Sequence, residues 1–142
     1  MSSHLLGSIK ACHKRKPLGV YARVKKKLVY LMSNMKVRTE KVEKTMLVTK
    51  EQLTGLVASF YGQPCKYCKT QLTYKNYVCD HIFPLSRGGE SEAQNLQIIC
   101  KRCNTQKGPM LEEEYISILG LIDTFTEESK VYVKRKLSKA SI

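Results

Sequence analysis

Two Cys-x-x-Cys pairs, Cys65/Cys68 and Cys100/Cys103, stand thirty-one residues apart. Each such turn directs two sulfurs to one point, and tetrahedral zinc takes four thiolates, so the pairs together define a structural zinc site with no open position for water. The separation exceeds the roughly fifteen to twenty residues of simple zinc-ribbon spacing, so something folded must lie between them. That insert carries an adjacent Asp80 and His81 and, further on, Asn95; Asn104 follows the second pair directly. One carboxylate and one amide oxygen suit a hard cation such as Mg²⁺, which keeps several waters. A neutral histidine beside them can deprotonate a water for attack on phosphorus. The metal would stabilise charge on the phosphoryl and leaving oxygens. These are the parts a one-metal phosphodiesterase needs.

The elements that must position these groups follow from the pattern around them. Tyr74 to Phe83 is rich in β-formers, Asn95 to Ile99 is a short apolar run, and the loop between holds Pro84, Gly88 and Gly89. Cys100 to Lys107 lacks helix breakers, so strand, loop, strand and helix give a compact ββα unit. In a regular strand Asp80 and His81 point to opposite faces. One shared site therefore requires the strand to end or bulge, and irregular backbone is expected at 80–83; two opposed side chains on a regular strand would rule out a single site. Cys79 reads as a small core residue and Tyr67 as packing within the knuckle. Arg87 and Lys107 read either as phosphate contacts beside the site or as solvated charges.

The flanks divide by charge. The chain has a net charge of +13, and residues 1–50 hold thirteen Lys/Arg against two Glu. Such concentration at one end points to a polyanionic partner, most often nucleic acid. Residues 1–16 read as a mobile arm ending in Lys14, Arg15 and Lys16, with Cys12 an incidental thiol. From Val20 to Met35 the apolar residues Val24, Leu28, Leu31 and Met35 recur at helical spacing, with Lys25, Lys26 and Lys27 crossing the other side. Residues 36–47 read as helix or linker. A further helix opens at Thr49, whose capping-box partner is Gln52 and whose staple is Val48 with Leu53. Glu112, Glu113 and Glu114 suit the first turn of a C-terminal helix, where carboxylates meet the positive end of the dipole. A last short helix is expected within Glu127 to Lys136.

No apolar run is long enough to span a bilayer and no hydrophobic signal peptide opens the chain. A cytoplasmic protein, of a bacterial or phage-infected cell, is the expectation, and reduced cysteines there favour metal over disulfides.

Taken together, Cys-x-x-Cys, Asp-His-Ile-x-Pro-Leu-Ser-x-Gly-Gly, Asn-Leu-Gln and Cys-x-x-Cys-Asn-x-x-Lys resemble the HNH nuclease family over about Thr49 to Gly108. The resemblance implies an α+β fold: a small ββα-metal core stapled by a four-cysteine zinc knuckle and flanked by helices at both ends. It implies three parts, with a basic arm and amphipathic helix at 1–47, the zinc-bound nuclease core at 48–110 and a helical extension at 111–142. By that resemblance Asp80 is the metal-binding residue, His81 the general base, Asn95 the central Asn that ties the loop to backbone, and Asn104 the last metal ligand. Many members have His at that last position, and a further ligand position falls on Gly108. The oxygen donors left favour Mg²⁺ or Mn²⁺ beside the structural Zn²⁺. The implied activity is DNA endonuclease, nicking or double-strand, on duplex DNA, as monomer or homodimer. The alternative is a zinc-ribbon module that binds nucleic acid without cutting it.

Overall fold

The structure, a computed structural model, describes residues 2–140. At its centre lies an antiparallel ribbon of β1 (Tyr77–His81) and β2 (Leu96–Cys100), followed without a gap by the helix Lys101–Lys107. Three helices precede it: α1 (Ser2–Cys12), α2 (Pro17–Lys41) and α3 (Lys50–Phe60). With Lys101–Lys107 as α4, two more follow, α5 (Glu112–Ile122) and α6 (Glu127–Ala140). The mixed fold and the ββα unit expected from the sequence are present. A lone two-stranded ribbon is marginal in water; here α3 and α4 pack against it, and all five residues of β2 are buried.

The register sets Tyr77 opposite Cys100, Asp80 opposite Gln97 and His81 opposite Leu96. Pairing is therefore regular through His81, and the expectation of irregular backbone at 80–83 is corrected: the chain leaves the ladder only at Ile82. The expectation that a regular strand rules out a single site was too strict and is corrected as well: both side chains line one cleft despite the regular pairing, at the point where the chain bends at 82–83. The loop beyond is held by two glycines. Gly88 takes a φ of 101°, and a Cβ on Gly89 would lie 1.9 Å from the Phe83 carbonyl oxygen. Only glycine fits that approach.

Residues 1–16 are not the mobile arm expected from their terminal charge cluster. Ser2–Cys12 is a helix with Leu5 and Ile9 buried, packed against α2 and α3. Leu5, Ile9 and Cys12 recur at one helical spacing, which gives the segment an apolar face to pack on α2 and α3. Cys12 meets the turn at Gly62, where an added Cβ would lie 2.3 Å from its sulfur. It takes no part in the cysteine cluster.

α2 runs one and a half turns past the periodic stretch. Its buried stripe is Val24, Leu28, Met35 and then Thr39. Lys44, in the linker after it, donates to the carbonyls of Gly88 and Gly89 and pairs with Glu90 at 2.8 Å. The backbone N–H groups of Leu47 and Val48 both donate to the Ser91 carbonyl. The N-terminal helices are thus fastened to the loop between the strands. α3 opens with the expected box: Thr49 Oγ1 accepts from Gln52 N at 3.1 Å and Gln52 Oε1 from Thr49 N at 2.9 Å.

Candidate active site and metal centre

The four cysteine sulfurs lie within 4.8 Å of one another, among free thiols. Cys65 and Cys68 sit on the turn after α3, Cys100 ends β2 and Cys103 is in the first turn of α4. The Cys65 carbonyl accepts from Lys69 N, which holds a left-handed φ of 66°, and that closes the first knuckle. Backbone N–H groups of Cys100 and Cys103 donate to the sulfurs of Cys65 and Cys100, as suits thiolate acceptors. Crowding splits the thiols: hydrogen bonding from Cys103 draws Cys100 down to about 5, and the same contact drives Cys103 up. Four sulfurs at this spacing, all within bonding reach of one centre, fit a tetrahedral ion such as zinc.

A cleft of about 480 Å³ lies at the strand end, lined among others by Arg38, Lys41, Asp80, His81, Ser86 and Asn104. Asp80 is buried with one carboxylate oxygen committed: Oδ2 takes Gln97 Nε2 at 2.9 Å and Lys107 Nζ at 3.0 Å. Gln97 also donates to the Tyr67 hydroxyl, which donates to Glu112, so Asp80 is tied through two side chains to the start of α5. His81 Nε2 stands 2.8 Å from Ser91 Oγ. Among the described residues the one wholly enclosed side-chain oxygen or nitrogen without a partner is the Tyr77 hydroxyl. Asp80, His81 and Asn104 all line this cleft. Burial, then the charges of Arg38 and Lys107, lower the His81 pKa to about 4, which leaves the imidazole neutral at pH 7.

Asn95 stands apart from the cleft and holds its loop. Its Oδ1 accepts from Phe83 N at 2.8 Å, and its Nδ2 donates to the carbonyls of Phe83 at 3.0 Å and Glu90 at 2.8 Å. Every polar atom of that side chain is used on backbone.

Several cations sit elsewhere than the sequence suggests. Lys107, read as a phosphate contact or solvated charge, is wholly buried between Asp80 and the His81 carbonyl. A helix of seven residues places position 107 on its inner face, and Asp80 supplies the countercharge that burial demands. Arg87 is paired with Glu114 at 2.7 Å on the surface. Lys27 lies 3.9 Å over the Tyr77 ring and donates to the Tyr74 carbonyl, its pKa lowered to about 8 by burial. Lys14, Arg15, Lys16, Lys25 and Lys26 are exposed.

The sequence reading passed over Arg38 and Lys41, which line the cleft, and Thr39 and Ser91 behind it. A signal existed for α2: its apolar stripe, extended four residues past Met35, lands on Thr39, a polar residue in a core position. Ser91 had none, because its role depends on a loop closing against another helix.

A two-stranded ribbon and helix with Asp-His at the strand end and a four-cysteine staple define the ββα class of metal-binding nuclease folds. The family model for HNH endonucleases matches residues 65–118, from the first knuckle into α5. A stretch of 45 residues is 40% identical to the CRISPR-associated endonuclease Cas9 of Corynebacterium diphtheriae, covering 31% of this chain and 4% of that protein's length. Among the described residues no helix is long and apolar enough to cross a membrane.

Proposed function

We propose that this protein is a metal-dependent DNA endonuclease that hydrolyses phosphodiester bonds, with His81 as general base and Asp80 and Asn104 as ligands of one divalent cation. The observation that carries this reading is that a carboxylate, an imidazole and an amide, those of Asp80, His81 and Asn104, line one cleft. An oxygen-donor pair with room for water suits Mg²⁺ or Mn²⁺. Bound there, such an ion supplies positive charge opposite the phosphoryl and leaving oxygens. His81, neutral at pH 7, takes the proton of a water as its oxygen attacks phosphorus; the bond to the 3′ oxygen breaks, and that oxygen leaves protonated by solvent. The products are a 5′-phosphate and a 3′-hydroxyl. Arg38 and Lys41 bear on the phosphate from the α2 side of the cleft, and neither has an ion-pair partner among the described residues. Asn95 keeps the loop after His81 in place without touching the substrate. Zinc at the four cysteines is structural, and its thiolates suit a reducing cytoplasm.

Duplex DNA is the substrate proposed, held by phosphate contacts from the basic N-terminal helices. One site per chain nicks one strand, so a double-strand break takes two chains or two events.

The test is plasmid nicking with Mg²⁺ or Mn²⁺ by the wild type and His81→Ala, each checked for native circular dichroism. Loss of cleavage with retained folding and DNA binding supports the reading. Equal cleavage by the folded variant removes His81 from the mechanism. Binding without cleavage in Mg²⁺, Mn²⁺, Co²⁺ and Ni²⁺ would instead make the chain a zinc-bound nucleic-acid-binding module.

A further inference from the structure

Behind His81 runs a chain of two buried hydroxyls that ends on α2, outside the segment matched by the family. Ser91 and Thr39 are both wholly enclosed. Ser91 Oγ is 2.8 Å from His81 Nε2 and 2.7 Å from Thr39 Oγ1, which is 2.6 Å from the Met35 carbonyl oxygen. Each hydroxyl has one proton, and a carbonyl has none. The Thr39 proton must therefore point at Met35, since turning it away would face two oxygens at 2.6 Å with no hydrogen between. Thr39 then has only lone pairs for Ser91, so Ser91 donates to Thr39. Ser91 in turn has only a lone pair for the ring, so Nε2 carries the hydrogen. A neutral imidazole protonated at Nε2 has its lone pair at Nδ1, and His81 lines the cleft.

The geometry assigns Thr39 as a positioning residue: through Ser91 it fixes His81 in the Nε2–H tautomer, so that Nδ1 is the atom that receives the water's proton. The role of Nδ1 as base rests on the nuclease reading; the tautomer does not. The α2 helix is by this account a working part of the site. Ser91 is well placed to pass the constraint on, because its carbonyl is clamped by the N–H groups of Leu47 and Val48.

The test is a long-range ¹H–¹⁵N spectrum of the His81 ring at neutral pH in metal-free full-length protein, with Thr39→Val, which keeps the shape and removes the hydroxyl, and Thr39→Ser, which restores it. The wild type should show a protonated Nε2 and a bare Nδ1. In Thr39→Val the Ser91 proton loses its acceptor and turns to the ring, so the pattern shifts toward the Nδ1–H form. Thr39→Ser should return it. In nicking assays kcat should fall on the order of ten- to a hundredfold in Thr39→Val with KM unchanged, and recover in Thr39→Ser. A wild-type ring protonated at Nδ1 overturns the assignment, with no need of a variant. So does a folded Thr39→Val with the wild-type pattern. If the wild type cuts no DNA at all, the nuclease reading fails while the spectrum still decides the tautomer.

Discussion

Lys107 and His81 show how burial redirects charged groups next to the cleft. Lys107 has no exposed surface and one countercharge, Asp80 at 3.0 Å. Removing one partner of such a pair leaves the other uncompensated, which typically costs about 3–5 kcal/mol. Lys107→Met should therefore lower the unfolding free energy by about that amount in urea titrations, while the salt dependence of DNA binding stays as in wild type. A reduced salt slope would return Lys107 to the phosphate contacts. His81 also ties stability to pH in the metal-free protein. The ring titrates near 6.5 when unfolded and at about 4 when folded. Between those values the unfolded chain binds the extra proton, so folding stability rises with pH across that window and is level above it. His81→Gln should lose that part of the slope between pH 4.5 and 7 in urea midpoints; an unaltered slope would mean that the ring is not buried as described.

At the scale of elements, the knuckle and the catalytic ribbon share parts. Cys100 is the last residue of β2, and Cys103 lies in α4, the helix that also presents Asn104 and Lys107. Two metals at one ribbon should therefore differ in how their loss is felt. Brief treatment with EDTA should abolish nicking reversibly, with Mg²⁺ alone restoring it while zinc stays bound. Cys68→Ser should release about one zinc per chain and lose ellipticity and cooperative melting, because structural zinc binding is folding free energy. Zinc content by atomic emission alongside the melt checks this. A Cys68→Ser protein that melts as wild type would show the ribbon to be held by its apolar core alone.

Over the whole molecule, α2 links the basic N-terminus to the cleft. From Lys16 to Arg38 is 22 residues of helix, roughly 33 Å at about 1.5 Å each, or about ten base pairs of duplex at roughly 3.4 Å. Exposed Lys14, Arg15 and Lys16 stand just before the start of α2, Lys25 and Lys26 lie along it, and the helix ends at Arg38 and Lys41. Replacing Lys14, Arg15 and Lys16 by Ala should flatten the plot of log affinity against log salt, each lost phosphate contact removing about 0.9 from the slope. Rates at saturating DNA should be unchanged. Fluorescence anisotropy between about 50 and 200 mM salt measures it, and an unaltered slope would place the cluster off the duplex.

Local chemistry was legible in the residues alone. Cys-x-x-Cys spacing fixes two sulfurs per turn, Thr49 and Gln52 cap a helix from adjacent positions, and the β-rich runs flank a glycine loop that tolerates no side chain at Gly89. Asn95 bonds only backbone of its own loop, a role its neighbours in sequence can supply. What depended on distant partners was not legible. A terminal charge cluster concealed the burial of Leu5 and Ile9, since a helix is stabilised by the surface it packs on. The same holds for Lys107, whose charge reads as solvated until Asp80 is found beside it. Thr39 shows in the sequence only as a polar residue on the apolar stripe of α2, and acquires meaning when Ser91, fifty-two residues away, is brought to 2.7 Å. Which groups can hold metal or move a proton follows from residue types and short spacings. Which cations face solvent, and how the hydroxyls behind His81 line up, follows from burial and hydrogen-bond partners, which are properties of the packed chain.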